Sequence, residues 1–156
     1  MATEHGSDPD SSLHQDQCWL LLRSSDTGRL GVVVDGEPDI FPVTFVVDHA
    51  TIVFRTAPGT KLTAALVSPA VAFEVDGVDP HSGEAWSVVV KGHAEEIKQL
   101  YDLLDTTVLP LFPWHRGSKH RFVRIVAEDV TGRRFQVADR VSWYAPFIDA
   151  RRCAPD

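Results

Sequence analysis

The sequence predicts a mainly β protein with a few helices: an antiparallel barrel, closed or half-closed, of six or seven strands. Six or seven short apolar runs lie along the chain, separated by turn dipeptides such as Asp35-Gly36 and Thr131-Gly132, the punctuation that strands and hairpins leave in a sequence. Only two segments carry a substantial helical period. A sheet with so little helix to cover its margins is expected to close on itself, because closure removes exposed edges. At 156 residues with 44% hydrophobic content, the chain suits one domain with a real core.

Residues 1–12, MATEHGSDPDSS, are poor in hydrophobics and read as a disordered tail. Ser12, with Gln15 three positions on, resembles a capping box opening a short helix. Cys18, Leu21, Leu22 and Ser25 would share one face of that helix, and Gly28 would end it. "RLGVVV" and "DIFPVTFVV" flank Asp35-Gly36, a strong hairpin signal. "ATIVFRT" follows after Asp48-His49, so these three strands form a meander. "GTKLTAALVS" reads as a short helix after the turn at Pro58-Gly59. "AVAFEVD" and "EAWSVVVKGHAEEI" are two further strands joined by the polar loop 77–83. "KQLYDLLDTTVL" reads as the second substantial helix, with Leu100, Leu103 and Leu104 on one stripe. "PLFPWHRGSKH" is irregular, and a last hairpin, "RFVRIVAEDV" to "RRFQVA", brackets Thr131-Gly132. The folded domain is thus expected over 13–148, with a C-terminal tail at 149–156.

Charge narrows the function. A net charge of −7 argues against a general nucleic-acid or membrane binder, since both surfaces are anionic. A cation cluster in such a protein suits a small anion. The polar start lacks the apolar stretch of a signal peptide, no run approaches membrane-spanning length, and Cys18 and Cys153 lie far apart. Two reduced thiols in a cytoplasmic protein are the expectation. No G-x-S-x-G elbow, H-E-x-x-H or Walker loop is present. His115 and His120 are the close histidine pair, and solvent exposure in a loop accounts for them without a metal, so no metal site is expected.

The informative stretch is "IVFRTAPGTKL" at 52–62. An apolar strand ends in Arg55 and Thr56, and a Pro-Gly turn then delivers Thr60 and Lys61. Arg55 offers a planar fork matched to phosphate oxygens, and Lys61 adds a point charge. The threonines add hydroxyl donors, and Gly59 lets the backbone approach closely. Together these make a phosphomonoester cradle at a strand–turn–helix corner. The same cations could instead simply solvate a strand end, and spacing alone does not separate the two readings.

"GRLGVVVDGEPDIFPVTFVVDHATIVFRTAPGTKL", followed by "WSVVVKGHAEEI", resembles the pyridoxamine 5′-phosphate oxidase-like flavoproteins. Among them it is most similar to small actinobacterial-type members akin to the nitroimidazole-resistance proteins. The likeness spans about residues 15–145, and "FRTAPGTKL" is its most specific part. It implies an FMN-binding split β-barrel, a homodimer with two cofactors at the subunit interface. It also implies that the strand carrying Val43, Thr44 and Phe45 lies along the isoalloxazine ring. The corner with Arg55, Thr56, Thr60, Lys61 and Leu62 would hold the ribityl phosphate, and Trp86 and Ser87 would border the flavin.

Trp114, in the Pro-rich loop, is a candidate to close over the cofactor or across the dimer. For it and for Trp86 the alternative is ordinary aromatic packing. The oxidase proper carries a C-terminal signature with Glu-Phe-Trp and Arg-Leu-His. Here the matching segment reads "RFVRIVAEDVTGRRF", so pyridoxamine phosphate is expected to be a poor substrate. Related split barrels bind deazaflavin F420 or haem. The implied function is a flavin-dependent oxidoreductase of a small molecule, with an F420-dependent reductase or a non-catalytic flavin carrier as alternatives. No general acid or base stands out, which fits chemistry carried by a cofactor.

Overall fold

The computed structural model describes residues 10–56, 66, 70–98 and 121–137. Along the chain these form β1 (Asp10–Ser12), α1 (Gln15–Arg23), β2 (Thr27–Val34), β3 (Glu37–Asp48), β4 (Thr51–Thr56), β5 (Ala70–Val78), β6 (Glu84–Glu96) and β7 (Arg121–Gln136). Every described pairing is antiparallel. The sheet runs β1-β7-β4-β3-β2-β5-β6, and β6 returns to pair with β7. Six strands therefore close a ring, and β1 adds to β7 outside it. This is the mainly β split barrel that the sequence predicts. No helix among the described residues is long and apolar enough to cross a membrane.

Local chemistry sets the meander. Asp35 and Gly36 take left-handed backbone, φ 52° and 78°, as a two-residue type I′ turn demands, and Val34 pairs with Glu37 across it. The β3–β4 turn uses His49 at φ 54°. There the Thr51 hydroxyl donates to the Asp48 carbonyl at 2.7 Å, and Arg124 holds the Asp48 carboxylate at 3.0 Å.

Alternation then fills the interior. Leu30, Ile52, Phe54, Phe73, Val88, Val90, Val123 and Ile125 are fully buried. Phe45 meets Phe73 edge-to-face, with centroids 4.8 Å apart, a geometry worth roughly 0.5–1.5 kcal/mol beyond the area buried. One turn apart on α1, Cys18 and Leu22 are both fully buried and join the same core cluster.

Four local expectations are corrected. Residues 10–12, assigned to a disordered tail, form β1, with Asp10, Ser11 and Ser12 opposite Phe135, Arg134 and Arg133. The pairing carries on to Leu13, whose N–H donates to the Gly132 carbonyl at 2.9 Å. Ser12 is thereby committed to the sheet, and the helix N-cap falls on His14. The Gln17 side chain accepts from the His14 N–H at 3.1 Å.

Gly28 does not end the helix. It lies inside β2, where an added Cβ would overlap the Phe73 ring. Finally, Thr131-Gly132 is no turn, because β7 runs unbroken past it, with Thr131 opposite Val89 and Gly132 opposite Val88. Gly132 is there because α1 presses on the sheet: a Cβ at this position would stand 2.6 Å from Cys18 Sγ. The helices read at 59–68 and 98–109, the irregular segment at 110–120 and the C-terminal tail lie outside the described residues.

Candidate functional site

Arg55 sits at the end of β4 between Phe54, fully buried, and Thr56, 8% exposed. Side chains alternate along a strand, so Arg55 leaves on the outer face. Its cross-strand neighbour on β7 is Phe122, and the guanidinium carbon lies 6.0 Å from that ring's centroid. The aromatic face steers the cation without discharging it.

The other partly buried arginines have carboxylates. Arg124 pairs with Asp48 at 3.0 Å, Arg134 with Glu84 at 3.0 Å and Arg121 with Glu96 at 3.6 Å. Arg29, more exposed, holds Glu74 and Asp76 at 2.9 and 3.2 Å. Among the described residues Arg55 has no such partner, and its Nε is buried without a hydrogen bond. An unsatisfied buried donor costs on the order of 1–3 kcal/mol. A guanidinium kept in that state, planar and forked, fits a phosphate that arrives from outside the chain.

Thr44 is half-buried on β3, between Val43 at 6% and Phe45 at 3% exposure, so it too faces outward. The β3–β4 ladder runs from Asp48–Thr51 to Phe45–Phe54 and stops. One further step in the same register sets Thr44 against Arg55. Beyond that point β3 is accompanied by β2 and β4 by β7. The site therefore lies where the barrel wall divides.

The remaining expected residues distribute unevenly. Val43 and Phe45 spend their side chains in the core, so only their backbone could meet a ligand. Thr56 is buried on the face opposite Arg55 and does not share its surface. Trp86 is half-buried and packs across Gly77 of β5, where an added Cβ would lie 2.7 Å from the indole. Ser87, half-buried, stands on the outer face between Asp76 and Arg133. Thr60, Lys61, Leu62 and Trp114 lie outside the described residues.

Distance separates the two groups. Arg55 registers with Phe122 and Ser87 with Arg133 on the same strand, eleven steps apart (133 − 122), a path along the strand of at most roughly 35 Å at about 3.3 Å per residue, which the irregularity opposite Lys91/Gly92 shortens. Sequence reasoning missed Phe122 and Arg133. Both lie in β7, where the expected hairpin at Thr131-Gly132 would have folded Arg133 back onto another strand.

The family model described as pyridoxamine 5′-phosphate oxidase matches residues 14–134, and the chain belongs to that family. It is 39% identical to the FAD binding protein from Mycobacterium smegmatis, covering 81% of this chain and 98% of that one with a TM-score of 0.71. An uncharacterized Mycobacterium tuberculosis protein is 36% identical over 132 residues, 81% of this chain and 86% of its own length. A FAD-binding protein from Mesorhizobium loti is 27% identical, with 80% and 97% covered and a TM-score of 0.66.

Proposed function

We propose that the protein binds a phosphorylated flavin and works as a flavin-dependent oxidoreductase on a small molecule. The observation that carries this reading is Arg55: a part-buried guanidinium with an unsatisfied Nε, beside Thr44 where the β3–β4 ladder ends. In this site Arg55 takes the phosphate on the ribityl chain. Thr44 supplies a hydroxyl, and the backbone of Val43 and Phe45 supplies the edge along which a ring lies. The core behind them, with Phe54 and Phe73 fully buried, keeps water from the protein side, which strengthens each polar contact. A bound flavin supplies hydride transfer at its ring, and the chain supplies binding, orientation and electrostatics.

FMN is the first expectation, because no G-x-G-x-x-G pyrophosphate loop exists in the sequence. FAD is a second reading, favoured by the names of the Mycobacterium smegmatis and Mesorhizobium loti relatives. Both cofactors carry the phosphate that Arg55 would hold, so the assignment of Arg55 is common to them.

A flavin is shorter than the separation along β7 between the Arg55 and Ser87 levels. If both flank one ring, they come from two chains, and the working unit is a homodimer with two sites. Val33 and Ile40, neighbours on the outer face of β2 and β3 and 51% and 67% exposed, are apolar surface that a second copy would cover.

Titration of the flavin-free protein with FMN, FAD and riboflavin tests the binding. At least one phosphorylated flavin is expected to bind well above riboflavin, and riboflavin binding as tightly as FMN would refute the phosphate grip. Mixing the binding-defective variants Arg55→Gln and Ser87→Phe tests the sharing. A mixed dimer recovers one intact site only if the two residues act from different chains, and no recovery refutes a shared site.

A further inference from the structure

A concavity of about 360 Å³ opens on the outer face of β1, β7 and β6 and is lined by Ser12, Ser87, Val89, Thr131, Gly132 and Arg133. The register makes its polar lining a designed row. Ser12 stands directly opposite Arg133 on one side of β7, and Ser87 directly opposite it on the other. Neighbouring strands are about 4.8 Å apart, so two hydroxyls flank one guanidinium across about 10 Å. Thr131, two positions along β7, adds a third hydroxyl on the same face.

Among the described residues, none of these four side chains makes a hydrogen bond or an ion pair. The next residue in the row is a carboxylate, Asp76 opposite Ser87, and it is already drawn to Arg29 at 3.2 Å. The Gly132 backbone and the Val89 side chain form the floor between them.

We propose that this row is an oxoanion site, which takes the carboxylate or phosphate group of a small acidic ligand. Arg133 presents a fork to two oxygens, and the serine hydroxyls donate to the same group from either side. In the two-chain flavin site, Ser87 borders the ring, so the row anchors the substrate beside it and makes that substrate an acidic small molecule. This last step rests on the flavin reading, whereas the anion site does not.

The test is a nuclear magnetic resonance titration of the flavin-free, full-length protein with inorganic phosphate and, separately, with acetate. Saturable shifts are expected at the amides of Ser12, Ser87, Gly132 and Arg133. The tighter of the two anions identifies the ligand group. Arg133→Gln is expected to weaken the response about tenfold or more, the effect of losing one charge-assisted contact, while Arg55→Gln leaves it unchanged. Absence of saturable shifts at these amides, or an undiminished response in Arg133→Gln, overturns the proposal. So does loss of FMN binding in Arg133→Gln but not in Arg55→Gln, because the row would then be holding the flavin's own phosphate. Phosphate binding here in a protein that takes no flavin would leave the site standing and remove the flavin reading.

Discussion

Replacing Gly132 by alanine tests how the barrel and its helix fit together. The added Cβ would stand 2.6 Å from Cys18 Sγ and 3.0 and 3.2 Å from two carbons of Leu13. Real Cβ atoms essentially never approach a neighbour so closely, so something must shift, and the cysteine is fully buried among packed core residues. Overpacking of this kind costs about 1–3 kcal/mol, while restricting the unfolded chain returns about 0.4–1 kcal/mol. At mid-range the net loss is therefore about 1.3 kcal/mol, or about 3–5 °C in Tm for a chain of this size.

The informative comparison is with Cys18→Ala. Alone it removes one buried atom, at about 1 kcal/mol. Combined with Gly132→Ala it also removes the clash, so the double variant should lose less than the sum, with a coupling of about 1 kcal/mol. Leu13 keeps the rescue incomplete. Urea unfolding of the four proteins measures this. Strictly additive losses, or no loss in Gly132→Ala, would refute the packing account. Additivity would instead suit a glycine needed only for its backbone.

Two further outcomes follow from the titratable groups. Burial pushes the Cys18 thiol above its ordinary value, so iodoacetamide at mildly alkaline pH should spare Cys18 in the folded protein and label it after unfolding; rapid native labelling, read by peptide mass spectrometry, would contradict its burial. The Asp79 carboxyl is held below its ordinary 3.8 by the His81 amide first and the Ser82 hydroxyl second. Its contribution is therefore present above that value and lost as pH falls through the lower folded-state value. The Tm gap between the parent and Asp79→Asn should be constant near neutrality and close in acid, and a gap that persists in strong acid would reverse the assignment.

Much of the barrel was legible because its turns are local events. Asp35-Gly36 and His49 needed only left-handed backbone, which their residue types allow. The end of α1 was misplaced because Gly28 answers to Phe73 on β5, a contact 45 positions away (73 − 28) that no local pattern carries. Gly132 misled in the same way: a glycine that makes room for Cys18 reads, in sequence, like a glycine that turns a hairpin. At the site, Arg55 was legible as a cation that ends an apolar strand, whereas Thr44 entered only through the family resemblance; their outward direction came from the burial of their neighbours. Thr56 was grouped with Arg55 although period-two alternation sends neighbours to opposite faces, a signal that was available. The Ser12–Arg133–Ser87 row was not legible, since it exists only through the register of three strands.

The central claim is that Arg55 holds a flavin's phosphate, and the ratio of FMN to riboflavin affinity tests it most directly. Measured by equilibrium fluorescence titration in the parent and in Arg55→Gln, FMN affinity should fall on the order of 10–150-fold, the equivalent of about 1.5–3 kcal/mol for a lost charge-assisted bond. Riboflavin, which has no phosphate, should change little, so the preference for FMN collapses. An unchanged ratio, or equal losses for both ligands, would contradict the claim and leave Arg55 as a cation that merely ends a strand.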